Sequence, residues 1–208
     1  MFNVCDACGA YRPDKIIKPA ASDALSQAIC PECGHQHPFI QSTLLLVTGA
    51  SGTGKTTVLR RLQGLSEAVL FDSDILWAPH FEGDAHGFFE TWLRVCKNTA
   101  QVGKPVVLFG AGTGVPANLE QCAERRYFSE LHYLALVCDE KTLAARLRGR
   151  PAWRQSGTDQ NVAEQLRFND WFRTEGPRLS IALVDTSTEM LRSTAEHVRS
   201  WISRTLNP

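Results

Sequence analysis

One short segment carries residues whose types and spacing suit phosphate binding. Residues 49–57 read G-A-S-G-T-G-K-T-T, so that Gly49, Gly54, Lys55 and Thr56 fit the pattern G-x-x-x-x-G-K-[ST]. Glycines let backbone N–H groups point at phosphate oxygens, and a helix beginning near Lys55 adds the positive end of its dipole. We expect Lys55 to reach the β- and γ-phosphates of a nucleoside triphosphate and the Thr56 hydroxyl to bind Mg²⁺. The predicted nucleotide-binding residues are Gly49, Ser51, Gly52, Thr53, Gly54, Lys55, Thr56 and Thr57.

A second set of reactive side chains is four cysteines near the N-terminus. They form two C-x-x-C-G hooks, at Cys5 with Cys8 and at Cys30 with Cys33. Each hook brings two thiolates together, and four sulfurs suit tetrahedral Zn²⁺. An iron centre or a redox pair is the alternative. Because a closed four-cysteine site leaves no open position for catalysis, we expect the zinc to fold a segment that lacks a core of its own.

Two histidines, His35 and His37, follow the second hook. We interpret both as surface residues, since the four cysteines already complete the metal shell; the alternative is that one of them is a metal ligand. The hooks resemble the knuckles of zinc ribbons, a class whose members also contact nucleic acids or partner proteins. The segment between the hooks carries no basic patch, which favours a structural or partner-docking role. The predicted module spans residues 1–40.

The elements that must position the phosphate-binding segment follow from runs of apolar residues. Residues 44–47 are a continuous apolar run bounded by a glycine, which is typical of a fully buried strand. The further strands are predicted at residues 68–71, 105–110, 133–137 and 181–185. Helical patterns separate these strands, including one at about residues 118–125. Strand and helix in alternation predict an α/β fold of three layers, with a five-stranded parallel sheet and helices on both faces, within residues 41–208.

Two carboxylates, Asp72 and Asp74, follow the second predicted strand. The carboxyl ends of strands are where open α/β sheets have their ligand crevice. The alternative for either aspartate is that it caps the turn that follows.

The loop and the D-S-D sequence together resemble those of P-loop kinases of the nucleoside monophosphate kinase group, and most of all shikimate kinase and its small-molecule kinase relatives. The resemblance covers about residues 44–206. It implies a P-loop NTPase fold and an ATP-dependent, Mg²⁺-dependent phosphotransferase. In such kinases the first aspartate lies by Mg²⁺ and the second binds the acceptor hydroxyl. By that resemblance Asp72 is a magnesium ligand or general base, and Asp74 binds the acceptor.

The third strand supports the same resemblance. It ends in Gly110-Ala111-Gly112 and lacks the terminal aspartate that holds Mg²⁺ in motor and transport ATPases. Gly110 and Gly112 either present N–H groups to an acceptor or make a turn. Trp77 and Phe81, which follow Asp74, either line an acceptor pocket or belong to the core.

Arginines stand where such kinases have a lid, at about residues 150–158. A lid closes over the triphosphate, excludes water and sets guanidinium groups on the developing charge. Arg150 and Arg154 are the predicted catalytic lid residues, with Arg146 next; the alternative is that they are solvated arginines at a helix end. The loop that begins at Asp185 lies against the adenine in the kinases that this chain resembles.

The amino-acid composition disfavours some classes of binding partner and cellular location. The 22 basic residues equal the 22 acidic residues, so the net charge of zero argues against a broad nucleic-acid or anionic-membrane surface. No apolar run reaches the ~20 residues of a membrane span, and the N-terminus lacks the features of a signal peptide. Seven cysteines without an export signal favour a reducing compartment, and Cys96, Cys122 and Cys138 read as core residues. We therefore expect a cytoplasmic protein.

Three functional hypotheses remain. The first is a kinase that acts on ATP and a small-molecule or nucleotide acceptor. The second is an ATP-switched NTPase whose zinc module binds RNA or a protein. The third is a polynucleotide 5′-kinase, which would need a basic channel that the neutral charge does not favour.

Overall fold

The computed structural model describes residues 3–20, 25–188 and 191–207, which form two sheets. The smaller sheet is antiparallel, in the order β1-β2-β3, with β1 Ile16–Lys18, β2 Ser26–Ile29 and β3 Gln36–Phe39. The larger sheet consists of β4 Leu44–Thr48, β5 Val69–Asp72, β6 Val106–Phe109, β7 Leu131–Val137 and β8 Ala182–Asp185. Its order is β5-β6-β4-β7-β8, and every pairing is parallel.

Six α-helices are described. They are α1 Lys55–Arg61, α2 Ala85–Thr99, α3 Pro116–Glu120, α4 Glu140–Arg148, α5 Asp159–Glu175 and α6 Leu191–Leu206. None of the helices within the described ranges is long and apolar enough to cross a membrane. The prediction of a five-stranded parallel sheet flanked by helices is confirmed.

The central strand β4 explains the three layers. Its five residues are all buried, and successive side chains of a strand point to opposite faces. Leu44 and Leu46 belong to one core cluster with Trp92 of α2 and Phe172 of α5. Leu45 and Val47 belong to another, with residues of α1 and α6. The sheet therefore buries both faces, and Cys96, Cys122 and Cys138 are buried as predicted.

The helix predicted at residues 118–125 is two shorter pieces. Helix α3 ends at Glu120, and a 3-10 helix covers Ala123–Tyr127. Between them Cys122 has extended backbone angles, and the next two N–H groups donate to the Glu90 carboxylate of α2 at 2.6 and 3.0 Å. A regular helix cannot continue, because these N–H groups bind a side chain instead of the carbonyls one turn back.

The N-terminal segment is held to α2 by Asn3, which bonds to both partners of a buried ion pair. Lys97 of α2 donates to Glu124 at 2.5 Å and to the Asn3 side-chain oxygen at 2.6 Å, and Asn3 donates to Glu124 at 2.5 Å. Lys97 is 1% exposed and Glu124 is not exposed at all. Nearby, the Tyr127 hydroxyl donates to the Pro13 carbonyl at 2.9 Å. One end of α2 is thus fixed to the cysteine-bearing segment.

Candidate functional site

The phosphate-binding segment is a loop that joins β4 to α1, and its backbone requires glycine. Gly49 and Gly54 have φ angles of 132° and 104°, which L side chains rarely adopt. A Cβ at Gly49 would also lie 2.2 Å from the Leu136 carbonyl oxygen. The loop therefore has the tight curvature that the sequence pattern predicts.

Contacts from two other elements hold this loop. The Thr186 hydroxyl, just after β8, donates to the Thr53 carbonyl at 3.2 Å. The side-chain oxygen of Gln165 in α5 accepts from the Ser51 N–H at 2.8 Å. Gln165 was missed at the sequence level, since no motif connects it to the loop 114 residues earlier. Ser51 is therefore held from outside the loop through its N–H.

Lys55 lies at the start of α1, and its ammonium donates to the Gly49 and Ala50 carbonyls at 2.7 and 3.0 Å. The pKa of Lys55 is lowered to about 8, chiefly by burial and also by Arg150, while Asp74 and Asp72 oppose the shift. The lysine thus shares an electrostatic environment with three other predicted site residues.

Thr56 and Asp72, the predicted magnesium residues, lie together. The Thr56 hydroxyl donates to one Asp72 carboxylate oxygen at 3.2 Å, while the other oxygen accepts from the Asp74 N–H at 3.1 Å. Asp72 therefore caps the following turn, as one sequence interpretation predicts, and also faces Thr56; its role at Mg²⁺ stays a prediction. Hydroxyl and carboxylate oxygens are the hard ligands that Mg²⁺ takes, so the pair fits that ion.

Asp74 is partly exposed and stands among charges of both signs. Partial burial raises its pKa, and the neighbouring Asp72 raises it further; Lys55, Arg154 and Arg150 act in the opposite direction. A carboxylate with a raised pKa is a better proton acceptor near neutral pH than an ordinary aspartate.

The predicted lid follows α4. It contains a 3-10 turn at Ala152–Arg154, in which the Arg154 guanidinium lies 5.0 Å from the centre of the Trp153 ring. Burial lowers the pKa of Arg150, and Arg154 adds to the shift. Arg146 instead donates to the Thr186 hydroxyl at 3.0 Å and to the Thr186 carbonyl at 2.7 Å, which fixes it to the end of β8. The catalytic role of the lid arginines stays a prediction.

Two cavities lie beside these residues. The first, the loop cavity, measures about 300 Å³ and is lined by Gly52, Thr53, Gly54, Thr57, Arg146, Arg150 and Thr186, among others. The second, the aromatic cavity, measures about 380 Å³ and is lined by Asp74, Trp77, Phe81, Phe88, Phe89 and Gly112, among others. Both open near the carboxyl ends of the strands, where an α/β sheet has its ligand crevice.

The glycines after β6 have different roles. The Gly110 N–H donates to the Val47 carbonyl at 3.0 Å and so belongs to the sheet; it is not offered to a ligand. A Cβ at Gly110 would lie 2.4 Å from the Ser73 hydroxyl oxygen, so close packing requires glycine there. Gly112 lines the aromatic cavity, as do Trp77, which is 56% exposed, and Phe81, which also packs in the core.

The four N-terminal cysteines converge as a metal site requires. All four sulfurs lie within 4.8 Å of one another, with Cys5 3.6 Å from Cys33 and Cys8 3.9 Å from Cys30. Tetrahedral zinc–thiolate geometry places sulfurs about 3.8 Å apart, so the cluster fits Zn²⁺. The glycine after each hook has φ of 74° and donates its N–H back to the first cysteine carbonyl, as the hook pattern predicts.

The prediction that both histidines are surface residues is wrong for His37. Strand β3 alternates, so that His37 and Phe39 point inward while Gln36 and Pro38 are exposed. The His37 ring lies edge-on to His35, at 4.6 Å between ring centres, and 3.5 Å from the Asp6 carboxylate. His37 is therefore part of the small core beside the cysteines.

No family model matches the chain, and no curated protein matches it. Solved structures share its fold. A sugar kinase from Janibacter sp. HTCC2649 aligns with a TM-score of 0.59 at 14% identity, over 78% of this chain and 95% of that one. A tunicamycin resistance protein from Deinococcus radiodurans aligns with a TM-score of 0.57 at 18% identity, over 78% of this chain and 96% of that one. A gluconokinase from Sinorhizobium meliloti 1021 aligns with a TM-score of 0.54 at 19% identity, over 79% of this chain and 94% of that one. These likenesses show the fold, which is that of P-loop kinases.

Proposed function

We propose that the protein is a kinase that transfers the γ-phosphoryl group of ATP to a hydroxyl group of a small molecule. The observation that carries the proposal is the clustering of Lys55, Thr56, Asp72 and Asp74 at the edge where a phosphate-binding loop and a separate cavity meet. Two ligands must approach one point in such a transfer, and this arrangement offers a site for each.

The phosphate side would hold the triphosphate on the N–H groups of the loop, with Lys55 and the lid arginines Arg150 and Arg154 neutralising charge on the transferred group. Thr56 and Asp72 would hold Mg²⁺, which supplies charge stabilisation at the phosphates when bound. Use of ATP rather than another nucleotide rests on the resemblance to the kinases named above.

On the acceptor side, Asp74 would orient the hydroxyl and take up its proton. The hydroxyl oxygen forms a bond to the γ-phosphorus while the bond from that phosphorus to the β,γ-bridging oxygen breaks. The electron pair of the broken bond leaves with ADP, and the hydroxyl proton goes to Asp74. The products are a phosphate monoester and ADP.

We assign the cysteine module a structural zinc ion held by Cys5, Cys8, Cys30 and Cys33. Emission spectrometry should find about one zinc per chain, and Cys30→Ser should lose it. Iron in place of zinc would contradict the assignment.

A second candidate is the ATP-switched binding protein. It is favoured by exposed apolar residues on the N-terminal segment, where Tyr11 is 54% and Ile16 is 59% exposed. In that case ATP turnover would respond to a macromolecular partner and not to small alcohols.

The kinase is tested by Mg²⁺-dependent ATP turnover against a panel of alcohols, sugars, sugar acids, nucleosides and nucleoside monophosphates. One acceptor should raise turnover by about tenfold or more, and Lys55→Ala should abolish that increase. Lys104→Ala, an exposed lysine just before β6, is the matched control and should behave as wild type. ADP formation without any phosphorylated product would contradict the kinase.

A further inference from the structure

The side chains that line the aromatic cavity determine which class of acceptor it can bind. Trp77, Phe81, Phe88 and Phe89 form its wall, with Phe88 at the centre: its ring centre lies 5.5, 5.2 and 5.9 Å from those of Trp77, Phe81 and Phe89. All three pairs meet edge to face. Such a wall presents flat apolar surfaces, which stabilise a bound molecule by removing apolar area from water.

Asp74 is the one charged side chain among the described residues that line this cavity. A carboxylate or phosphate on the acceptor would lose its water there and would lie near a like charge. Burial of a charge without an opposite partner is strongly unfavourable. The cavity therefore discriminates against anions.

The nearby cations are engaged elsewhere. Lys55 donates to two carbonyls of the phosphate loop, and Arg150 lines the loop cavity. Arg154 lies over the Trp153 ring on the lid. In the proposed reaction these three groups face the charge of the triphosphate, so they are not available to neutralise a second anion on the acceptor.

A cationic acceptor is disfavoured for another reason. An ammonium group would pair with Asp74 and hold that carboxylate as its counter-ion. The carboxylate oxygens would then be occupied by the ammonium group and could not orient the reacting hydroxyl.

We propose that the acceptor is an uncharged alcohol whose hydroxyl is carried on an aromatic or similarly flat apolar group. This inference rests on the proposed kinase function, since it names the substrate class of the same site. It excludes sugar acids, nucleotides and nucleic-acid ends, all of which bring an anion close to the reacting hydroxyl. The cavity volume of about 380 Å³ suits a small organic molecule.

The test uses three probes on one skeleton: 1-phenyl-1,2-ethanediol, which is neutral; mandelate, which replaces the terminal alcohol with a carboxylate; and 2-amino-1-phenylethanol, which is cationic. Binding to the full chain with a non-hydrolysable ATP analogue and Mg²⁺ is followed by the NMR signal of the Trp77 indole. That signal is assigned by its loss in Trp77→Phe. The diol should bind about tenfold more tightly than mandelate. The amine is judged by phosphoryl transfer with ATP in place of the analogue, and it should react more slowly than the diol.

Asp74→Asn removes the negative charge of the cavity while keeping a side chain of nearly the same size. Mandelate should bind this variant about tenfold more tightly than it binds wild type, whereas the diol, whose hydroxyl bonds to the carboxylate, should gain no affinity. Glu82→Gln, which alters an exposed carboxylate in the same stretch, is the control and should leave all three affinities unchanged. Equal or tighter binding of mandelate by wild type, or no effect of any probe on Trp77, would overturn the inference.

The outcome is separable from that of the kinase proposal. Efficient phosphorylation of gluconate or of a nucleoside monophosphate would overturn the acceptor class and leave the kinase intact. Selective binding of the diol, together with ATP turnover that never yields a phosphate ester, would contradict the kinase proposal. The selectivity of the cavity for neutral molecules would still stand.

Discussion

The loop cavity and the aromatic cavity are built in opposite ways. The loop cavity takes half of its lining residues from one continuous segment, 52–58, in which backbone N–H groups and glycine geometry define the site. The aromatic cavity takes its walls from side chains on the turn after β5, on α2 and after β6. Backbone sites can be recognised by residue spacing, whereas side-chain sites depend on how separate elements pack. The contrast explains why the nucleotide is easier to infer than the acceptor.

The largest effect should come from Asp74, which belongs to the aromatic cavity. Asp74→Asn should lower phosphoryl transfer by about 10²–10⁴-fold, because it removes the group that accepts the hydroxyl proton. The affinity for MgATP, measured by calorimetry, should change little. A parallel loss of ATP affinity would show that the two cavities do not act separately.

Thr56 tests the phosphate side. Thr56→Val removes the hydroxyl beside Asp72 and should raise the Mg²⁺ concentration needed for half-maximal turnover by about 10–100-fold. Thr43→Val, at the opposite edge of the sheet, is the control. Unchanged magnesium dependence would contradict the assignment of the ion to this pair.

Substitution of a lid arginine should lower turnover by a smaller factor, and an arginine two residues away serves as the control. Arg150→Ala should lower turnover by about tenfold, since it removes one guanidinium from the triphosphate side. Arg148→Ala should not, because the Arg148 side chain is exposed and pairs with Asp159 at 3.0 Å on the surface. Equal losses in both variants would point to damage of α4 instead of a lid.

The smallest effect concerns pH. The pKa of Lys55 is lowered from its ordinary value of 10.5 to about 8, so its ammonium is fully charged only below that pH. ATP affinity of the free protein should therefore fall as pH rises through about 8, by up to about tenfold. Lys55→Met should bind ATP more weakly and lack this fall. A pH-independent affinity in wild type would contradict the shift.

The sequence predicts those parts of the molecule that depend on local backbone rules. The apolar run at β4 and the glycine spacing after it predict a buried strand and a tightly curved loop, and the structure has both. The parallel sheet also follows, because alternating strands and helices have few other arrangements. The pairing of Thr56 with Asp72 could be anticipated because α1 and β5 both meet the loop at one edge of the sheet.

Other features depend on partners that are distant in sequence. The Glu90 carboxylate interrupts the helix predicted near residue 118, and nothing within that segment indicates it. His37 is buried because alternate side chains of β3 point inward. A strand of four residues is too short for the sequence to show which of its side chains do so. Gln165 reaches the phosphate loop from α5, and only the packed structure shows that contact.

The ion pair between Lys97 and Glu124 has an evolutionary consequence. Removal of one partner of a buried pair costs about 3–5 kcal/mol, whereas replacement of both by apolar residues is often neutral. Asn3 bonds to both partners, so loss of the first 40 residues would leave the pair short of hydrogen bonds. A lineage that shed the cysteine module would thus have to change α2 and the turn after α3 together. We expect related chains without the module to carry apolar residues at both positions, so that the two charges are inherited and lost as one unit with the module.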